Sequence, residues 1–200
     1  FKVQADSIYN EVASRVKGQE HALSVLKRLF RSMAFQLDPT SNRPIATALF
    51  TGPTGVGKTE TVKAMAKAMY PGENVIQFIN MPDYKTVEHE PAFRKKIGEV
   101  VSHVPNSIIL LDELEKSSPE IRDSLLAILD EGIVTYETTT REGLPQVDST
   151  SLRNTIVIAT TNAGADVFAN DARFSQREAM GKNLDTRVND AAVDRLIHTL

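Results

Sequence analysis

The chain contains no cysteine, so disulfide staples and thiol chemistry are excluded, and a reducing compartment, the cytoplasm, is the expected setting. It also has no apolar run approaching the roughly 18 residues of a membrane span. The first residues, Phe1-Lys2-Val3-Gln4, lack the basic stretch and apolar core of a signal peptide. They also lack an initiator Met, and the chain reads as part of something longer. No internal repeat or low-complexity tract is present, which removes solenoids and fibres. A large net charge is missing too. The formal value of −3 argues against a protein that coats nucleic acid by bulk electrostatics.

What remains is ordinary globular composition. Of the 200 residues, 41% are hydrophobic and 24% charged, enough to bury one large core. Residues 6–37 read as helix, with Ala22, Val25, Leu26, Leu29 and Met33 on one stripe. The polar run 38–44 breaks it. From residue 46 short strands alternate with helices. Ala46–Thr51, Val75–Ile79, Ser107–Leu111 and Thr155–Thr160 are the strands, mostly without polar alternation, as expected where both faces are covered. Val62, Met65, Ala66 and Met69 mark one intervening helix; Ile121, Leu125, Ile128 and Leu129 mark another, with Pro119 in its first turn. This alternation predicts an α/β fold with a mostly parallel sheet in three layers, and ligands at the carboxyl ends of the strands. Ile133–Thr140 and Gln146–Leu152 read as a projecting hairpin, or alternatively as plain edge strands. The domain reading is therefore N-terminal helices over 1–45, a core over 46–165 and a loosely helical tail over 166–200.

The chemistry lies at the strand ends. Gly52-Pro53-Thr54-Gly55-Val56-Gly57-Lys58-Thr59 follows a predicted strand and opens a predicted helix. Glycines in such a P-loop let successive N–H groups turn toward phosphate oxygens, assisted by the positive end of the helix. Lys58 can reach the β- and γ-phosphates, and the Thr59 hydroxyl can ligate Mg²⁺. Glu60, next along the helix, completes the candidate nucleotide-binding set. Farther on, Ile108-Ile109-Leu110-Leu111-Asp112-Glu113 is an apolar strand ending in two acids. Asp112 is placed beside Mg²⁺ and Glu113 beside the attacking water. Asn162, closing the last strand, could orient that water or simply cap a helix. Together these residues predict binding of ATP or ADP with Mg²⁺, and ATP hydrolysis.

The P-loop GPTGVGKT, the acidic segment IILLDELEKSSPEIRDSLLAILDEG and the segment LRNTIVIATTNAG resemble the AAA+ superfamily, over residues 10–165. Within it they are most similar to the ATPase modules of Clp-type protein unfoldases, especially the second module of double-ring members. The resemblance implies a P-loop NTPase large subdomain. It assigns Val16-Lys17-Gly18-Gln19 to the box that surrounds adenine, with Val16, Gly18 and Gln19 as contacts; a helix break at Gly18 is the alternative. It places Asn162 at the first sensor position. It further implies a homo-oligomer, a hexameric ring with ATP between subunits, and a protein substrate. The family's arginine finger, last strand and small helical subdomain would follow residue 200. An arginine finger contributes ~10³–10⁵ in rate, so this chain alone is expected to bind nucleotide better than it turns it over.

One departure from the family pattern bears on function. Clp unfoldases carry a Gly-Tyr-Val-Gly type pore loop between the second strand and the acidic strand. Here the interval reads MPDYKTVEHEPAFRKKIGEVVSHVPN and has no such tetrapeptide. Tyr84 or Phe93 could replace the aromatic, or could be core residues. The hairpin could line the channel. Arg94-Lys95-Lys96 reads as a solvated helix face rather than a nucleic-acid patch, and the scattered histidines do not make a zinc site. Two rival functions stay open: a nucleotide-dependent scaffold or switch, and a nucleic-acid motor.

Overall fold

The computed structural model describes residues 2–15, 20–35, 41–51 and 57–162. Four strands form one sheet: β1 (Ala46–Thr51), β2 (Ile76–Asn80), β3 (Ile108–Asp112) and β6 (Ile156–Thr161). Its order is β1-β6-β3-β2 and every pairing is parallel. Side chains alternate across the sheet, and each face has its own core. Ile108 and Leu110 of β3, with Ile156 and Ile158 of β6, enter one core; Ile109, Leu111, Val157 and Ala159 enter the other. Strands buried on both faces need apolar residues at every position, which is why these runs show no alternation.

The first core is closed by α1 (Lys2–Arg15), α2 (Glu20–Phe35) and α3 (Lys58–Met69). The helical stretch over 6–37, with its stripe from Ala22 to Met33, is two helices in the structure. A straight helix over that span would run about 48 Å, whereas a six-residue strand covers only about 20 Å. Half of such a stripe would find no sheet to cover. As a pair, α2 buries Val25, Leu26, Leu29, Phe30 and Met33, and α1 brings Val12 to the same core. Ala22 lies outside the described side chains.

The second core is closed by α4 (Glu90–His103) and α5 (Pro119–Glu131). Pro119 occupies the first turn of α5, and the Ser118 side chain caps it by accepting from the Ile121 N–H at 3.4 Å. Phe93 of α4 is fully buried, and Tyr84 packs edge-on against it with ring centroids 5.2 Å apart. Phe93 is thus a core residue, while Tyr84 is partly buried against that core. On the outer face of α4, Arg94 pairs with Glu90 and Lys95 lies 3.8 Å from Glu99, so the basic cluster is a helix surface with its own counter-charges.

The hairpin consists of β4 (Ile133–Thr139) and β5 (Pro145–Ser151), antiparallel and separate from the main sheet. It packs on α4 through buried Val134 and Tyr136, while Leu144 and Val147 at its far end are exposed. Gly98 makes this approach possible. A Cβ there would stand 2.1 Å from the Tyr136 ring. The hairpin is thus a projecting one rather than an edge of the parallel sheet. The tail, 166–200, lies outside the described residues.

Candidate nucleotide site

The sheet order puts β6, the last strand among the described residues, between β1 and β3. Thr51 of β1 is level with Thr161 of β6, and Leu111 of β3 with Ala159. The carboxyl ends of these three strands therefore share one edge. On one side of that edge α3 begins. Gly57 precedes it at φ 76°, in the left-handed region that glycine enters without strain, and its carbonyl accepts from both the N–H and the hydroxyl of Thr61 at 2.9 Å. Residues 52–56, and with them Pro53, Thr54, Gly55 and Val56, lie outside the described residues, as do Val16, Gly18 and Gln19.

Lys58, the first residue of α3, reaches across the edge. Its Nζ donates to the Thr161 carbonyl and to Asn162 Oδ1, each at 3.0 Å. Burial pushes its pKa below that of an ordinary lysine, opposed by the negative charges of Glu115, Asp112 and Glu113. An ammonium held among three carboxylates is thus partly stripped of water. Thr59 is half-buried on the same helical turn. Glu60 is exposed, and its carboxylate accepts from Lys63 at 2.7 Å.

The acids stand on the other side. The Thr160 hydroxyl donates to Asp112 Oδ1, and Thr160 Oγ1 itself accepts from the Glu113 N–H at 3.2 Å. Glu113 has φ 55° and ψ 54°, the only non-glycine residue at positive φ among those described. That conformation costs an L-residue roughly 1–2 kcal/mol, and such strain collects at working sites. Glu115, in the short 3-10 turn Leu114–Lys116, has both carboxylate oxygens buried without a hydrogen-bond partner. Neither Thr160 nor Glu115 was singled out by the sequence motifs. An acid two residues beyond Glu113 and a hydroxyl two residues before Asn162 were the available signals.

These groups suit a nucleotide with its metal. Among the described residues no three acidic or histidine side chains form a metal-holding group. A Mg²⁺ ion here would complete its shell from phosphate and water, the usual arrangement for this ion with triphosphates. The hydrogen bond from Thr160 takes up only Oδ1 of Asp112.

A sequence profile described as "AAA domain (Cdc48 subfamily)" matches residues 43–199. The chain belongs to this AAA domain family. Among similar proteins, chaperone protein ClpB of Bdellovibrio bacteriovorus is 34% identical over 197 residues, covering 91% of this chain and 22% of the relative. ClpB 1 of Thermosynechococcus vestitus is 36% identical over 183 residues, covering 83% and 20%. The chloroplastic ClpB2 of Oryza sativa is 36% identical over 196 residues, covering 91% and 19%. The chain thus spans about a fifth of the length of these relatives. As an AAA domain it is a three-layer α/β module with a parallel central sheet, in keeping with the layers described above.

Proposed function

We propose that this AAA domain binds and hydrolyses ATP as one module of a Clp-type machine that works on protein substrates. The carrying observation is the reach of Lys58 to residues more than a hundred positions away, at the edge where Asp112 and Glu113 also end. Lysine, hydroxyl, two acids and an amide meet where the P-loop helix starts.

In this reading Thr59 and Asp112 hold Mg²⁺, and residues 53–59 with Glu60 surround the phosphates. Mg²⁺, when bound, neutralises charge on the β- and γ-phosphate oxygens. Lys58 exchanges its contacts with Thr161 and Asn162 for phosphate oxygens. Asn162, released, orients a water, and Glu113 accepts its proton as it attacks the γ-phosphorus, breaking the bond to the β–γ bridging oxygen so that ADP leaves. Val16, Gly18 and Gln19 enclose the adenine. The ring hexamer, the second-module position and the cytoplasmic setting are parts of the same proposal and rest on the resemblance of the three motif segments to Clp-type modules. Among the described residues no helix is long and apolar enough to cross a membrane.

The test is Glu113→Gln. ATP binding should persist while hydrolysis largely stops; unchanged turnover would remove Glu113 from the mechanism.

A second reading, a nucleotide-dependent scaffold or switch, draws on the burial of Phe93 and the packing of Tyr84 against it. Neither offers an aromatic grip to a threaded chain. Casein should stimulate the ATPase of an unfoldase and leave a switch unmoved; DNA should stimulate neither.

A further inference from the structure

Resting on that hydrolytic reading, we propose that the Thr160 hydroxyl is a positioning group that locks the two acids at the end of β3, Asp112 and Glu113, into one unit. Asp112 would be aimed at the metal, and Glu113 at the water, only while this hydroxyl is present. The direction of each bond is forced. The Glu113 N–H can only donate, so Thr160 Oγ1 accepts it at 3.2 Å. The hydroxyl proton is then left for the Asp112 carboxylate, the acceptor it reaches. A hydroxyl can play both parts at once; a methyl group can play neither.

Three further observations support the role. Thr160 is only 2% exposed, so water is poorly placed to replace it. The amide it holds belongs to Glu113, whose left-handed backbone needs an outside restraint to persist. Thr160 also sits beside Thr161 and Asn162, which accept from Lys58. The last two positions of β6 and its exit therefore tie the lysine and both acids to one strand.

The experiment compares wild type, Thr160→Val, Thr160→Ser and Glu113→Gln. Affinity for a fluorescent ADP in EDTA and a thermal melt report on folding. The Mg²⁺ dependence of fluorescent ATP binding and single-turnover hydrolysis report on the acids. Thr160→Val should bind ADP in EDTA like wild type. Its Mg²⁺ requirement should rise about ten-fold, and hydrolysis should slow about 10–100-fold, the usual cost of losing a partner behind a metal ligand. Thr160→Ser should restore both. Should the valine protein not fold, Thr160→Ala provides the hydroxyl-free comparison.

Wild-type Mg²⁺ dependence and rate in a folded hydroxyl-free variant would overturn the proposal. So would a serine variant as impaired as the valine one, since packing of the methyl would then be the cause. Failure of the hydrolytic reading has a different signature: wild type without nucleotide affinity, or Glu113→Gln hydrolysing normally. That result would overturn both.

Discussion

Gly98→Ala sets two known effects against each other at one atom. In a helix interior alanine is favoured over glycine by about 0.8–1 kcal/mol, so on propensity alone α4 should gain stability. The new methyl, however, would lie 2.1, 2.2 and 2.7 Å from Cε1, Cδ1 and Cζ of Tyr136. Ordinary contact begins near 3.4 Å, so the ring must retreat by about 1.3 Å in a close-packed interior. It has little freedom to do so. Tyr136 is 8% exposed, and its hydroxyl lies 3.1 Å from Ser102 Oγ on the same helix. Overpacking of this kind costs about 1–3 kcal/mol. The net expectation is a loss of roughly 0–2 kcal/mol, which for a chain of this size lowers Tm by up to about 8 °C. The decisive comparison repeats the substitution in a Tyr136→Val background. With the ring gone, Gly98→Ala should reverse sign and stabilise by about 0.8–1 kcal/mol. A Gly98→Ala protein more stable than wild type in thermal melts would refute the reasoning. Nucleotide affinity should not move, because Gly98 is remote from the lysine and acids of the site. Substrate stimulation should fall if the hairpin tip meets the protein chain.

Lys58→Met should abolish binding of fluorescent ADP while leaving the melt unchanged or slightly raised, since it removes a partly desolvated charge. The same burial gives a pH prediction. Lys58 loses its proton below the ordinary lysine value of 10.5, and phosphate affinity needs that proton. Affinity in EDTA should therefore weaken as pH rises, before the ordinary lysine range is reached; a flat profile into that range would contradict it. Arg122 is 4% exposed, donates to the Ser117 carbonyl at 2.5 Å, and has an unpartnered buried Nε. Arg122→Met should be neutral or stabilising by about 1 kcal/mol, read in denaturant melts with ATP binding unaffected.

The strands were legible because a doubly covered parallel strand leaves a short apolar run that few other structures produce. Ala46–Thr51 was read with its observed bounds, whereas β2, β3 and β6 each begin and end one residue later than their apolar runs suggested. Strand ends are set by pairing with a neighbour, not by apolarity. The boundary between the two helices within 6–37 was legible only as an alternative, at Gly18, because the apolar stripe from Ala22 to Met33 marks α2 alone. That Lys58, Asp112, Glu113 and Asn162 share one sheet edge was readable from residue types beside strand ends. The left-handed backbone of Glu113, the orphaned carboxylate of Glu115 and the two hydrogen bonds of the Thr160 hydroxyl were not.

Local sequence by itself determined the P-loop, the acidic strand and the alternation of strands with helices, since each depends on contiguous backbone and nearby side chains. The tertiary structure alone decided that β6 would slide between β1 and β3. Hydrogen bonds between parallel strands carry no memory of chain distance. That insertion brings Thr160 to Asp112 across 48 positions and Lys58 to Asn162 across 104. No pattern confined to one segment could have specified those meetings.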